Sequence, residues 1–141
     1  MRKIYRSIIT KEEAEILKKL ENARLLKTQN SVIKKIVNKL KEDFNFTIKE
    51  KSYSYIEKYP IGHGWHIDVG NEGHMQWCEV GASILLEEPK SGGDTYYGDD
   101  INGTNKVKSD RNLYDLIAHT SDEYHMVEPH EGNRTVFLLF I

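Results

Sequence analysis

This sequence of 141 residues contains one cysteine and three prolines, and its net charge is small. A single cysteine, Cys78, excludes an intramolecular disulfide. The 20 basic and 22 acidic residues give a formal net charge of −2, so the chain has no broad basic field for a nucleic-acid backbone. No apolar run is typical of a signal peptide or a membrane span. These absences predict a cytoplasmic protein that binds neither nucleic acid nor membrane, and they leave its oligomeric state open.

The periodicity of apolar residues predicts one α+β domain, because a chain of this length can bury one core but not two. Thr10 and Glu13 have the spacing of a capping box, which predicts a helix from about residue 11 to 26. Asn30 and Ser31 predict the start of a second helix, ending near residue 44. After Asn45 the period changes to two, which is typical of strands. We therefore expect helical support in residues 1–46 and a sheet-rich core in residues 53–141.

Alternation and turn residues predict where the strands lie. A short edge strand is expected near Ile4, and longer strands are expected at 53–59, 80–86, 94–97, 113–119 and 134–141. The polar segment 98–112 is the longest candidate for a mobile lid or a disordered loop. A loop at 69–77 follows directly on the motif described next, so we expect it near the mouth of any site built there.

Candidate metal ligands stand in the segment His66-Ile67-Asp68. If this segment is a strand, His66 and Asp68 project to the same side, which gives two adjacent ligands. The best candidate for a third ligand is His125. Two imidazoles and one carboxylate form the facial triad of non-haem Fe(II) sites. Taken singly, each of these residues would more often be an ordinary hydrogen-bonded side chain.

Several motifs in a fixed order extend this pattern. They are Tyr59-Pro60, His66-Ile67-Asp68, Ser91-Gly92-Gly93-Asp94-Thr95-Tyr96, His125-Met126-Val127-Glu128-Pro129 and Gly132-Asn133-Arg134. From Tyr53 onwards the chain resembles the 2-oxoglutarate- and Fe(II)-dependent dioxygenases, in particular the prolyl-4-hydroxylase-like branch. The resemblance implies a distorted double-stranded β-helix, or jelly roll, supported by the two N-terminal helices. It also implies that His66, Asp68 and His125 hold Fe(II).

The resemblance further implies 2-oxoglutarate and O₂ as cosubstrates, with ascorbate in a supporting role. Arg134, nine positions after His125, would anchor the far carboxylate of 2-oxoglutarate, because a guanidinium pairs two-pronged with a carboxylate. The residues that could complete the pocket, each of which could equally be a core residue, are Tyr59 or Tyr55, Ser83 and Thr95. The sequence departs from many relatives at Val136, where they carry a Ser or Thr.

The implied reaction is hydroxylation of an unactivated C–H bond with release of succinate and CO₂. Asp68 favours hydroxylation, since halogenating relatives lack this carboxylate. Nucleic-acid demethylating relatives carry a second arginine where this chain has Phe140. We expect a prolyl or other peptidyl substrate, with a free amino acid or other small molecule as the alternative. The aromatic residues that could line a substrate wall, or simply pack in the core, are Trp65, Trp77, Tyr96 and Tyr97.

Two other classes of function stay open on the residues alone. A jelly-roll binding module could keep a metal without turnover, although such a module has no need of Arg134. A zinc hydrolase with the same ligands would need a general base, for which Glu72 and Glu128 are the nearby carboxylates. The remaining histidines are interpreted as non-ligands. They are His63, His74, His119 and His130.

Overall fold

The structure, a computed structural model, describes residues 1–69 and 75–141. The candidate base Glu72 and the predicted non-ligand His74 lie outside the described residues, as does part of the predicted loop at 69–77. In the described part the chain forms two helices and twelve short strands, so the predicted α+β class is confirmed.

The first helix, α1, spans Lys11–Lys18 and begins at the predicted capping box. The Thr10 hydroxyl accepts a hydrogen bond from the Glu13 N–H (3.1 Å), and the Glu13 carboxylate accepts one from the Thr10 N–H (2.9 Å). The predicted end near residue 26 is wrong, because Ala23–Arg24 form a strand, β2. The Leu25 N–H donates to the Ser52 carbonyl (2.9 Å), and the Leu25 side chain is buried, so tertiary pairing overrides local helix propensity here.

The second helix, α2, spans Ser31–Leu40. Its start is the predicted one, since the Asn30 side-chain oxygen accepts the N–H groups of Val32 (3.0 Å) and Ile33 (3.1 Å). Turns continue the chain to Phe44, near the predicted end of the helix. With eight and ten residues, the two helices of the described chain fall well short of the roughly 20 residues needed to cross a membrane.

A six-stranded sheet, called the major sheet, carries most of the core. Its strands, all paired antiparallel, are in spatial order β1 (Arg2–Tyr5), β9 (Leu116–Thr120), β5 (Val80–Glu87), β12 (Thr135–Phe140), β3 (Tyr53–Glu57) and β2. The predicted edge strand near Ile4 is confirmed as β1. Side chains alternate along β12, so Phe137 and Leu139 pack in the core with the helices, while Val136, Leu138 and Phe140 line a cavity on the other face.

A four-stranded sheet, the minor sheet, contributes to that cavity from the opposite side. Its order is β4 (His63–His66), β10 (Tyr124–Val127), β7 (Thr95–Gly98) and β8 (Val107–Lys108). A two-stranded sheet pairs β11 (His130–Glu131) with β6 (Ser91–Gly92). The segment 98–112, expected as a lid or a disordered loop, is folded into turns and β8. The Asp100 carboxylate accepts the N–H groups of Asn102 (2.9 Å) and Thr104 (3.2 Å) and so closes the first turn.

Strand β9 begins at Leu116 rather than at the predicted residue 113, because Asp115 is held in a turn. Its buried carboxylate accepts the N–H groups of Ser7 (2.8 Å) and Asn112 (2.9 Å) and pairs with the Arg6 guanidinium (2.7 Å). Asp115 therefore ties the segment after β1 to the segment before β9.

Candidate metal centre

Three side chains with metal-binding atoms converge at one end of the cavity. His66 is the last residue of β4, and the antiparallel pairing of β4 with β10 places His125 opposite it. The His125 Nε2 atom lies 3.3 Å from Asp68 Oδ1, and the His66 Nε2 atom lies 3.9 Å from the same oxygen. One ligand atom from each residue lies within 4.8 Å of the other two. The donor set, two imidazole nitrogens and one carboxylate oxygen, suits a first-row transition metal.

The predicted cause of this convergence, a single strand through His66 and Asp68, is wrong. Strand β4 ends at His66, and the N–H groups of Asp68 (3.0 Å) and Val69 (3.2 Å) both donate to the Ser121 carbonyl. Because both N–H groups bond to one carbonyl oxygen, the chain bends here and does not continue the hydrogen-bonded pairing of a strand. It is this bend, and not strand alternation, that places the Asp68 carboxylate between the two imidazoles.

The backbone fixes the orientation of both imidazoles. The Nδ1 atom of His66 lies 2.6 Å from the Gly64 carbonyl oxygen, and that of His125 lies 2.9 Å from the Glu123 carbonyl oxygen. A carbonyl oxygen only accepts hydrogen bonds, so each Nδ1 is the protonated nitrogen. Each Nε2 is then the nitrogen left for a metal, and it faces the Asp68 carboxylate.

A third histidine, His119, holds the other oxygen of Asp68. Its Nε2 lies 2.5 Å from Asp68 Oδ2, and its Nδ1 lies 2.8 Å from the Tyr97 hydroxyl. The Tyr97 O–H donates to Nδ1 and the Nε2–H donates to the carboxylate, which gives a buried chain of hydrogen bonds behind the three convergent residues. Sequence reasoning found no signal for this chain, because it arises from the pairing of β9 with β5 across some 38 positions.

Gly81 makes room for this arrangement. In the pairing of β5 with β9 it lies opposite His119. A Cβ atom at this position would overlap Asp68 Oδ2 and would lie 2.8 Å from His119 Nε2. A side chain here would therefore displace the carboxylate from the two imidazoles.

The electrostatic environment favours the protonation state that a metal requires at two of the three residues, Asp68 and His66. Burial alone would raise the pKa of Asp68, but the hydrogen bonds from His119 and His125 hold it well below its usual value. Burial lowers the pKa of His66, with a further contribution from His125. At neutral pH, Asp68 is therefore a carboxylate and His66 is neutral. At His125 burial acts against the charged form, yet the hydrogen bond to Asp68 raises the pKa, so a metal would compete there with a proton.

The cavity beside these ligands has a volume of about 110 Å³. Of the residues predicted to complete a cosubstrate pocket, Tyr55, Ser83 and Thr95 line it together with the three ligands. Tyr59 is 46% exposed and packs its ring 5.3 Å from that of His63 instead.

Three of the four predicted substrate-wall residues lie outside this cavity. The Trp65 indole packs against Gly98, the last residue of β7, and against Gly103 in the turn that follows. The Trp77 ring lies 6.1 Å from that of Tyr53, and Lys106 Nζ lies 5.1 Å from the centre of the Tyr96 ring. None of these three is among the described residues that line the cavity. Tyr97, the fourth predicted aromatic residue, does line it.

Sequence reasoning missed a carboxylate inside the cavity. Glu57 accepts a hydrogen bond from the Tyr55 hydroxyl (3.0 Å) and lies 2.9 Å from His63 Nε2. It stands two positions after Tyr55 on β3, so strand alternation could have identified it as a residue of the same face.

Arg134 and a second arginine, Arg111, line a smaller cavity of about 30 Å³. Arg134 is only 4% exposed, and its Nε has no hydrogen-bond partner in the described structure. The Arg111 Nη1 atom donates to the Ser83 hydroxyl (2.5 Å). Thr95 lines both cavities, so they adjoin each other. Arg111 is the second-last residue of the polar segment 98–112, and nothing in its sequence context indicated a role.

Comparison with known proteins identifies the fold. No family model matches the sequence, and no curated protein matches it. A solved prolyl-4-hydroxylase from Pseudomonas putida superposes with a TM-score of 0.72 at 14% identity, covering 99% of this chain and 83% of that one. A viral collagen prolyl hydroxylase from Paramecium Bursaria Chlorella virus-1, solved with 2-oxoglutarate, gives 0.64 at 15% identity and covers 99% and 93%.

A prolyl hydroxylase from Trichoplax adhaerens, in complex with a peptide fragment of hypoxia inducible factor, gives a TM-score of 0.64 at 16% identity and covers 99% and 82%. These likenesses extend over nearly the whole chain, and they confirm the predicted jelly roll with two N-terminal helices. The chain therefore has the fold of the 2-oxoglutarate- and Fe(II)-dependent oxygenases in its prolyl-hydroxylase-like form.

Proposed function

We propose that this protein is an Fe(II)- and 2-oxoglutarate-dependent dioxygenase that hydroxylates an unactivated C–H bond and releases succinate and CO₂. The observation that carries the proposal is the convergence of His66, Asp68 and His125 within 4.8 Å, from β4, the bend after it and β10, in a chain with an oxygenase fold. The oriented Nε2 atoms and the ionised carboxylate support a transition metal at this place.

The donor set and the cavity fit these groups. His66, Asp68 and His125 would hold Fe(II), which when bound supplies the activation of O₂ that an unactivated C–H bond requires. His119 would keep the Asp68 carboxylate in place through its second oxygen. The apolar wall of Val136, Leu138 and Phe140 would exclude water from the reacting atoms.

The surroundings of Arg134 fit a dicarboxylate cosubstrate. Its guanidinium is buried, and its Nε lacks a partner among the described residues, so a carboxylate would satisfy a charge that is otherwise costly to bury. Val136 offers no hydroxyl group, but Ser83 stands on the neighbouring strand and lines the cavity. We assign to Ser83 the hydrogen bond that a Ser or Thr at position 136 would have made.

For the substrate we propose a prolyl or other peptidyl residue, which the prolyl hydroxylases among the fold neighbours support. The alternative is a free amino acid. Glu57 favours this alternative, because a carboxylate that lines the cavity would attract an ammonium group.

The first experiment adds Fe(II) and then 2-oxoglutarate to metal-free protein without oxygen and records the visible charge-transfer band of the chelated complex. We expect a band in the parent, none in His125→Ala, and a much higher 2-oxoglutarate requirement in Arg134→Ala. Arg24→Ala, which removes an exposed arginine of β2, is the matched control and should behave as the parent does.

If metal binds tightly and no band forms, the dioxygenase proposal fails, and a metal-containing binding module or a zinc hydrolase replaces it. If the band forms, release of succinate with proline-containing peptides and with free amino acids decides the substrate class. Turnover with free amino acids alone, abolished in Glu57→Gln, would contradict the peptidyl assignment.

A further inference from the structure

Within the described part of the chain, the two arginines of the smaller cavity have no counter-ion. None of the ion pairs among the described residues includes Arg111 or Arg134. Of the described residues that line this cavity, only Asp94 carries a carboxylate, and Lys108 pairs with it at 3.2 Å. Two positive charges therefore share a small cavity, and no carboxylate of residues 1–69 or 75–141 forms an ion pair with either.

Other groups in the cavity are also left without partners. The Ser109 hydroxyl and Arg134 Nε are buried and make no hydrogen bond within the described structure. Burial and the nearby Arg134 lower the pKa of Arg111 to about 10, and burial lowers the pKa of Arg134. Buried donors and charges of this kind are unfavourable unless a ligand satisfies them. The chemistry of the cavity is that of an anion site.

Ser83 connects this cavity to the larger one. Its hydroxyl accepts the N–H of Arg111, and a hydroxyl group has one proton of its own, so that proton stays free to be donated elsewhere. Ser83 also lines the cavity of the three metal ligands. Arg111 thereby holds Ser83 as a hydrogen-bond donor toward that cavity.

The two ends of the combined cavity are a short distance apart. In the pairing of β7 with β10, Thr95 lies opposite Val127, and Tyr97 lies opposite His125. Thr95, which lines both cavities, therefore lies two positions along β7 from Tyr97, the residue opposite the metal ligand His125. Two strand positions correspond to about 7 Å. A short dicarboxylate can reach from the metal ligands to the arginines across this distance.

We propose that Arg111 is a second cation of the site for the far carboxylate of the dicarboxylate cosubstrate, and that it positions the Ser83 hydroxyl to donate to this carboxylate. The inference rests on the proposed function, since the cosubstrate is the one assigned there. It adds a residue to the site and gives a reason for the presence of two arginines at one small cavity.

The test compares two 2-oxo acids in the anaerobic charge-transfer titration. 2-Oxopentanoate has the chain length of 2-oxoglutarate and lacks the far carboxylate. Arg111→Met should raise the apparent Kd of 2-oxoglutarate by about tenfold or more, because it removes charge-assisted hydrogen bonding. The apparent Kd of 2-oxopentanoate should change by less than about twofold, because its end bears no charge for Arg111 to meet. Arg24→Met is the matched control and should change neither value.

A thermal melt without metal separates binding from a structural role. With no anion present, Arg111→Met removes an unpaired charge, so its Tm should equal or exceed that of the parent. It should also lose the increase in Tm that succinate gives the parent. A lower Tm with an undiminished succinate effect would overturn the proposal.

If Arg111→Met does not fold, Ser83→Ala is the variant that tests the proposal. It should raise the apparent Kd of 2-oxoglutarate severalfold and leave the apparent Kd of 2-oxopentanoate unchanged. Equal loss for both acids would overturn the proposal. The two proposals fail differently. Absence of a band in the parent refutes the dioxygenase, whereas a normal band in the parent with unchanged 2-oxoglutarate affinity in Arg111→Met refutes only the role of Arg111.

Discussion

The geometry of the metal centre depends on a residue without a side chain. We expect Gly81→Ala to weaken metal binding by about tenfold or more, because the new methyl group would occupy the space of the Asp68 carboxylate and press on His119. Isothermal titration of the metal-free protein with Fe(II), without oxygen, measures the effect.

Gly64→Ala is the matched control for this substitution. Gly64 also lies in a strand beside the site, two positions before His66, but a Cβ atom there would meet nothing within 4 Å. Unchanged metal affinity in Gly81→Ala, or an equal loss in both variants, would contradict the role assigned to Gly81.

A second prediction concerns the histidine behind Asp68. His119→Ala should lower metal affinity by about 10- to 100-fold, the usual effect of losing a residue that orients a ligand. His125→Ala should abolish specific binding, since it removes a ligand itself. The same titration compares the two variants, and complete loss of binding in His119→Ala would instead assign His119 as a ligand.

At the scale of elements, Asp115 connects the turn after β1 with the turn before β9. Asp115→Asn should lower the free energy of unfolding by about 1.5–3 kcal/mol, because the buried group loses its ion pair and one amide N–H would face an N–H donor. Urea unfolding at pH 7 measures this difference. The exposed Asp122→Asn is the control and should unfold as the parent does.

The same carboxylate predicts a pH dependence. Burial would raise the pKa of Asp115, but the N–H groups of Ser7 and Asn112 and the Arg6 guanidinium lower it. Its stabilising contribution is therefore complete above the ordinary Asp pKa of about 3.9 and is lost as the pH falls through the lowered value. The difference in stability between the parent and Asp115→Asn should shrink only below about pH 4. A difference that is constant from pH 7 to pH 3 would contradict this assignment.

The sequence predicted elements where local chemistry decides the outcome. The caps at Thr10 and Asn30 began both helices as expected, because a cap depends on residues two or three positions apart. The end of α1 could not be predicted in this way. Residues 23–24 become a strand because β3, which begins almost 30 positions later in the chain, offers a partner.

The candidate site shows the same difference between what local sequence predicts and what long-range strand pairing decides. His66, Asp68 and His125 were named from their spacing, and the structure brings them together. The sequence did not indicate the hydrogen bonds from Tyr97 through His119 to Asp68, the carboxylate of Glu57 or the guanidinium of Arg111, and Tyr97 was predicted only as a residue of a substrate wall. Each of these groups reaches the site through the register of non-adjacent strands or through a turn, and no short motif encodes such a register.

At the scale of the whole molecule, metal binding and folding should be coupled. The three ligand atoms come from β4, from the bend after it and from β10, so an unfolded chain cannot present them together. A metal at 100 times its Kd should therefore add about 2.7 kcal/mol to the free energy of unfolding. Melting curves with and without Mn²⁺ measure this gain, which a chelator should reverse. An equal gain in His125→Ala would place the metal elsewhere.

Strand β12 lies between β3 and β5, at the centre of the major sheet. Both partners come much earlier in the chain, so until residues 135–140 are made, each has an unpaired edge on the side where β12 will insert. Exposed edges of this kind pair readily with other chains. The growing polypeptide should therefore depend on molecular chaperones during synthesis, and the sheet should close in one late step rather than strand by strand.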